Sequence, residues 1–253
     1  SLRKDDVGIL RKIKKFLGCG RICYDKARGT SNPKAVYSVK NVDDLLNVVV
    51  PLFETFRLRS KKARDFEIWK QAVEMVQRIK NQPYKWKGKW RTGCYPKWTE
   101  SNSDEFKQLH DTIREVRKYD ENSIQEGNEE DLIGDNRVDF GNWAAGFSDA
   151  EACFDLQCDG KGYNAATYRL KIRYDALAII KAIREFIGHG GIYRCKKDNQ
   201  NSRVQMMISG ADKLANLVVS VFDQCPLRAK KARDYALWKR GIELLQITKS
   251  RPR

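Results

Sequence analysis

Asp149 and Glu151 stand two residues apart at the end of a stretch that is otherwise small or apolar, among Trp143, Ala144, Ala145, Gly146, Phe147, Ala150 and Cys153. A carboxylate drawn into such surroundings needs a proton, a hydrogen-bonding partner or a metal ion to hold its charge. The metal is the chemically productive case, because a divalent ion on a carboxylate can activate water and stabilise charge on a phosphate. The plainer reading is a core helix with an acidic end. The spacing predicts a helix capped by Asn142 and ending near Glu151. Gly146 and Ala150, one turn apart, leave one face nearly bare, so that a second helix can press closely against it. Beyond Glu151 the period changes: Phe154, Asp155, Leu156 and Gln157 alternate apolar and polar as a strand does.

The elements that must position these acids are legible through an internal duplication. Residues 57–76, RLRSKKARDFEIWKQAVEMV, recur at 226–245 as PLRAKKARDYALWKRGIELL. Upstream, DDLLNVVV at 43–50 pairs with DKLANLVV at 212–219, and IKKFLGCGRI at 13–22 with IREFIGHGGI at 183–192. Helices are predicted over 9–17 and 177–187, stopped by Gly18 and Gly188. Hairpins are predicted from 21–24 and 35–39, and from 191–195 and 203–208, with Asp43 and Asp212 as caps of the helices that follow. In the second repeat the acid-bearing helix and a further hairpin, 152–157 with 166–174, come first, which makes the order α-β-β-α-β-β-α. The first repeat has no counterpart of that opening, and SLRKDD corresponds to the end of its second strand. Three regions result: a truncated first repeat (1–79), a linker (80–139) and a complete second repeat (140–253).

Ala144-Ala145-Gly146-Phe147-Ser148-Asp149-Ala150-Glu151-Ala152 resembles the signature of the LAGLIDADG homing endonucleases, with Asp149 in the sixth place and Glu151 in the eighth. One departure is Ala152, where the family has glycine; a methyl group there biases the backbone against positive φ. The resemblance implies an α+β fold of two pseudo-symmetric αββαββα repeats, the first lacking its opening helix and hairpin, forming a basic saddle on a nucleic acid. It implies that Glu151 binds the divalent metal, Mg²⁺, and that lysines at the start of the last helix, Lys61 and Lys230 with Lys62 and Lys231 close behind, assist catalysis. It implies a site-specific double-strand DNA endonuclease of organellar, intron-encoded type. A chain with one signature acid would need the other from a further segment or a second polypeptide, which would also cover the first repeat's apolar face. The rival expectation is a non-cleaving RNA-binding derivative, an intron maturase or a subunit of an organellar ribosome or other ribonucleoprotein.

Charge agrees with a polyanionic partner. The 253 residues carry 49 Lys and Arg against 33 Asp and Glu, a net charge of +16 spread along the chain and not gathered in one tail. A twisted antiparallel ribbon fits the major groove of a duplex, so the hairpins are the expected readers. In the first repeat these are Arg21, Tyr24, Lys26, Arg28, Lys34, Tyr37 and Lys40. In the second they are Gln157, Lys161, Arg169, Lys171, Arg173, Arg194, Lys196, Lys197, Asn199, Arg203 and Gln205. Between the repeats, Tyr84, Trp86, Trp90, Tyr95 and Trp98 interleave with lysines and arginines, a pattern that suits a phosphate backbone or unpaired bases and equally suits pinning the linker to the scaffold. An amphipathic helix is predicted over 104–119 and an acidic loop over 126–135. Seven cysteines without a close pair, and two histidines, argue against a zinc site and for reduced thiols. No run of about 18 apolar residues indicates a transmembrane helix, and no leader peptide is visible.

Overall fold

The computed structural model describes residues 1–26, 32–86, 89–91, 98–118, 132–160, 164–198 and 201–249. The chain divides into two compact units, Ser1–Lys118 and Tyr119–Arg253.

The second unit shows the complete repeat. Its order is α6 (Arg137–Glu151), β6 (Ala152–Cys158), β7 (Asn164–Arg173), α7 (Leu177–Ile187), β8 (Gly191–Asp198) and β9 (Asn201–Ser209). Then come α8 (Ala211–Lys213), a π-helical segment (Leu214–Val219), α9 (Ser220–Gln224) and α10 (Lys231–Lys249). The strands form one antiparallel sheet in the order β6-β7-β9-β8. One face of that sheet is apolar by simple alternation, with Ala166, Tyr168, Leu170 and Ile172 on β7 and Val204, Met206 and Ile208 on β9 all buried. The helices cover this face: α7 buries Ala178, Ile179, Ile180, Ala182, Ile183 and Ile187. Phe154 sits where these elements meet, its ring centroid 5.1 Å from that of Trp238, 5.4 Å from Tyr168 and 5.6 Å from Phe222. Gly188, at φ 85°, closes α7 in the left-handed conformation that favours glycine.

The first unit repeats this plan from its second strand onward. It runs β1 (Leu2–Arg3), α1 (Val7–Leu17), β2 (Arg21–Asp25), β3 (Lys34–Ser38), α2 (Val42–Asp44), a π-helical segment (Leu45–Val49), α3 (Val50–Thr55) and α4 (Lys62–Asn81). The sheet order β1-β3-β2 matches β7-β9-β8, with nothing at the place of β6 among the described residues. The consequence is visible on α1, where only Leu10 is buried, while Phe16, the counterpart of Phe186, is 74% exposed. Phe186 packs instead against Phe140 of α6, the ring centroids 5.1 Å apart.

Residues from the linker stretch belong to the first unit. A short hairpin, β4 (Tyr84–Trp86) with β5 (Lys89–Arg91), leads to α5 (Glu100–Val116), which lies along α4. α5 begins with a capping box: the Thr99 hydroxyl accepts from the Asn102 amide at 3.4 Å, and the Asn102 side chain accepts from the Thr99 amide at 2.7 Å. Arg117 Nε donates to Asp65 at 2.9 Å and Arg78 pairs with Glu105 at 3.1 Å, so α5 is tied to α4 at both ends. Most of the acidic loop lies outside the described residues.

The caps differ from expectation. α6 starts earlier, capped by Asn136, whose side chain accepts from the amides of Val138 and Asp139; Asn142 lies inside the helix and donates to the Val138 carbonyl. Asn41, not Asp43, caps α2, and Gly210 at φ 92°, not Asp212, precedes α8. In each case a residue nearer the turn has the extended or positive-φ backbone that a cap needs, which the downstream residue, already helical, lacks.

Coverage by α6 makes equivalent isoleucines unequal. Ile183→Ala is expected to cost about 2–5 kcal/mol in urea unfolding, and its counterpart Ile13→Ala about 1 kcal/mol or less. Burial disfavours the Asp65 carboxylate, but hydrogen bonds from Lys62 and Arg117 outweigh it and hold the group below its ordinary value of 3.8. The stabilisation is therefore complete above about pH 4 and is lost as pH falls through the depressed value. Asp65→Asn is expected to flatten this acid limb when unfolding of the first unit is followed against pH.

Candidate active site and nucleic-acid interface

The foot of α6 separates the two acids. Asp149 turns back into its own unit, where Oδ2 accepts from the backbone amides of Arg228 at 2.7 Å and Ala229 at 3.1 Å, in the loop before α10. Glu151, the last helical residue, is exposed. Ala152 continues directly into β6 with φ −77° and ψ 157°, and is buried. No positive φ is needed at this junction, and the methyl group that replaces glycine is accommodated in an ordinary extended backbone.

A lysine stands beside the acids. Lys231 Nζ donates to the carbonyl of Ala150 at 3.2 Å, a group the helix C-terminus leaves over, and to that of Ser148 at 3.3 Å, which also accepts the Ala152 amide. Burial pushes its ammonium below the ordinary lysine value, opposed by the nearby charges of Glu151, Cys153 and Asp149. Lys230 is exposed at the turn before α10, and Lys61 stands at the N-cap of α4. Lys62, the counterpart of Lys231, pairs with Asp65 at 3.0 Å. Lys231 is thus the cation that the geometry brings to the acid-bearing helix; its signal in the sequence was the duplicated KKARD, which does not distinguish adjacent lysines.

The sheet face opposite the core is polar. Register places Lys171, Gln205 and Tyr193 in one cross-strand row, and Arg173, Arg203 and Cys195 in another. Arg169 lies on the same face, held by Asp155 at 3.1 Å, with Gln157 further along β6. Arg173 chelates the buried Asp175. Arg194 has the opposite parity: it pairs with Val204, its guanidinium lies 4.3 Å from the Tyr174 ring centroid, and it donates to Ser202. Tyr193, which the sequence reading passed over, occupies the outward phase and is 53% exposed; alternation with Ile192 was the available signal.

The first sheet sorts its residues the same way. Arg21 pairs with Ser38 and Lys34 with Asp25 on the outward face. Tyr24 shares the face of the buried Ala35, and Tyr37 turns toward the helices, where its hydroxyl donates to the Cys19 carbonyl at 2.9 Å. Lys26 and Lys40 are exposed beyond the strand ends. Lys196 and Lys197 lie in β8; Arg28, Lys161 and Asn199 fall outside the described residues.

Glu151 is suited to a hard cation, since it joins an exposed carboxylate to the negative end of a helix. Magnesium commonly takes one or two carboxylates and completes its shell with water and phosphate oxygens, so this donor fits such an ion as one ligand. Among the described residues no three His, Cys, Asp or Glu side chains gather to hold a metal unaided.

The two acids predict opposite outcomes. Asp149→Ala leaves two loop amides unpaired and is expected to cost about 1–3 kcal/mol in urea unfolding, with faster amide exchange at Arg228 and Ala229. Glu151→Gln is expected to change stability by less than about 0.5 kcal/mol.

Comparison with known proteins follows this geometry. A probable intron-encoded endonuclease 3 of Neurospora crassa is 26% identical over 264 residues, covering 99% of this chain and 44% of the relative. A probable intron-encoded endonuclease Cox1-I1b of Schizosaccharomyces pombe is 27% identical over 115 residues, covering 44% of this chain and 29% of that protein. The chain thus spans less than half the length of these curated relatives. Among solved structures, I-SmaMI bound to uncleaved DNA in the presence of calcium superposes with a TM-score of 0.70 at 16% identity, covering 98% of this chain and 80% of that one. I-GzeII in complex with its DNA target gives 0.68 at 18% identity, with the same coverage of 98% and 80%. The LAGLIDADG endonuclease family model matches residues 1–73 and 144–242, which include α6 from Ala144 and the duplicated scaffold, and the chain belongs to that family.

Proposed function

We propose that this chain binds a DNA duplex through the outward faces of its sheets and, joined by a second acid-bearing helix, cleaves both strands at a specific site with Mg²⁺. The observation that carries the reading is Glu151, exposed at the foot of α6 beside Lys231, while Asp149 is turned inward with Oδ2 on two loop amides. Support comes from relatives described as intron-encoded endonucleases and from neighbours solved on DNA targets.

In this reading Arg169, Lys171, Arg173 and Arg203, with Arg21 and Lys34 in the first repeat, hold phosphates and set the register on the duplex, and Gln157, Gln205 and Tyr193 face base edges. Glu151 supplies the carboxylate that holds the cation. When bound there, a divalent ion lowers the pKa of water and neutralises charge developing on the phosphate. Lys231, anchored by two carbonyls and partly desolvated, keeps a cation beside that carboxylate without crossing to it. Lys230, exposed before α10, and Lys61, at the N-cap of α4, are candidates for contact with the scissile phosphates. The second helix, from a further segment or another polypeptide, would also cover Ile13 and Phe16 on α1, which are 38% and 74% exposed. The intron-encoded relatives support an organellar location.

A second reading, RNA binding without cleavage, draws on the single signature acid in the sequence. One experiment separates the two. The chain is incubated with a plasmid target library and Mg²⁺, alone and with a supplied helix–hairpin fragment bearing a second acid. Magnesium-dependent nicking or linearisation that is lost in Glu151→Gln, with DNA affinity retained, is expected. Tight RNA binding indifferent to that substitution, with no cleavage under either condition, would overturn the nuclease reading.

A further inference from the structure

The two copies of the last helix are dressed differently. α5 lies along α4, and on α4 Ala72, Met75 and Ile79, at helical spacing with Ile68, are 9%, 3% and 2% exposed. The corresponding row on α10 is Leu237, Gly241, Leu244 and Thr248, flanked by Ile247. Here Leu237 is 71% exposed, Leu244 52% and Ile247 51%, and Leu156 of β6, 48% exposed, lies against Gly241. A contiguous apolar strip of this kind on a charged protein marks a contact surface.

We propose that this side of α10 docks one amphipathic helix of a partner polypeptide, with apolar residues at i, i+4 and i+7 and an acidic flank. The internal repeat supplies the precedent for the shape of the occupant: on the equivalent side of α4 the cover is a single helix, α5, joined across its edges by the Arg78–Glu105 and Asp65–Arg117 pairs. Gly241 leaves room for the Leu156 side chain, which fills the middle of the strip. The sign of the partner follows from charge. Arg233 and Arg240, two turns apart and both exposed, run along one edge of the strip, and Arg240 pairs with Glu243 of its own helix at 2.7 Å. A second copy of this chain is a poor occupant, because each copy carries +16 and its own α5 is already laid on α4.

The probe is a labelled synthetic peptide of Thr99–Arg117, the helix that covers the equivalent row, titrated into the intact chain by fluorescence anisotropy. Saturable 1:1 binding with Kd of about 10–100 μM at low salt is expected, weaker at higher ionic strength. Leu244→Asp and Leu237→Asp are each expected to weaken it at least tenfold while circular dichroism stays unchanged, since both side chains are exposed in the free chain. A peptide carrying Leu109→Asp and Ile113→Asp is expected not to bind. Absence of saturation up to about 1 mM, binding unaffected by Leu244→Asp, or concentration-dependent self-association abolished by Leu244→Asp would each overturn the proposal.

Discussion

The last turn of α6 is held from three directions, and the placement of Glu151 depends on that grip. Ser148 Oγ shares a buried hydrogen bond with the Tyr168 hydroxyl at 2.9 Å, Asp149 accepts two loop amides, and Lys231 donates to two carbonyls. The first pairs two buried hydroxyls, the second satisfies two loop amides, and the third reaches the Ala150 carbonyl left over at the helix end. Ser148 ties the turn to the sheet, whereas Asp149 and Lys231 tie it to the segment that begins α10. The carboxylate that follows is therefore presented by rigid elements while remaining open to solvent. A ligand for a reactive ion needs both properties.

The same scaffold, used twice, behaves differently where its neighbours differ. Gly18 and Gly188 end equivalent helices with the same left-handed turn, and the π-helical segments recur at Leu45–Val49 and Leu214–Val219. These features depend on local sequence and so survive in both units. Burial does not follow local sequence. Ile183 is inaccessible because α6 and the sheet lie over it, while Ile13 remains 38% exposed. The last helices show the reverse: α4 is covered by a helix that has no counterpart over α10 among the described residues.

Strand parity shows where pattern reading succeeds and where it slips. Arg169, Lys171, Arg173, Arg203 and Gln205 alternate with large apolar residues, and their outward placement was legible because the buried phase of β7 and β9 is unambiguous. Tyr24, Tyr37 and Arg194 are amphipathic or long, so type alone does not assign their phase. Each lies on the side of the helices; the Tyr37 hydroxyl finds a backbone carbonyl, the Arg194 guanidinium finds the Tyr174 ring and Ser202, and the Tyr24 ring lies beneath the Lys4 ammonium. Composition marked these residues as possible readers, and the hydrogen-bond register reassigned them.

The amino-acid sequence by itself determined the duplicated plan, the helix that ends in two acids and the basic character of the chain, because these rest on periodicity, spacing and charge. Only the tertiary structure decided which acid is free, which of two adjacent lysines stands beside it and which strand residues face outward. The physical reason is distance along the chain. Asp149 meets amides 79 residues away and Lys231 reaches carbonyls 81 and 83 residues away, and no local pattern records partners that the fold alone brings together.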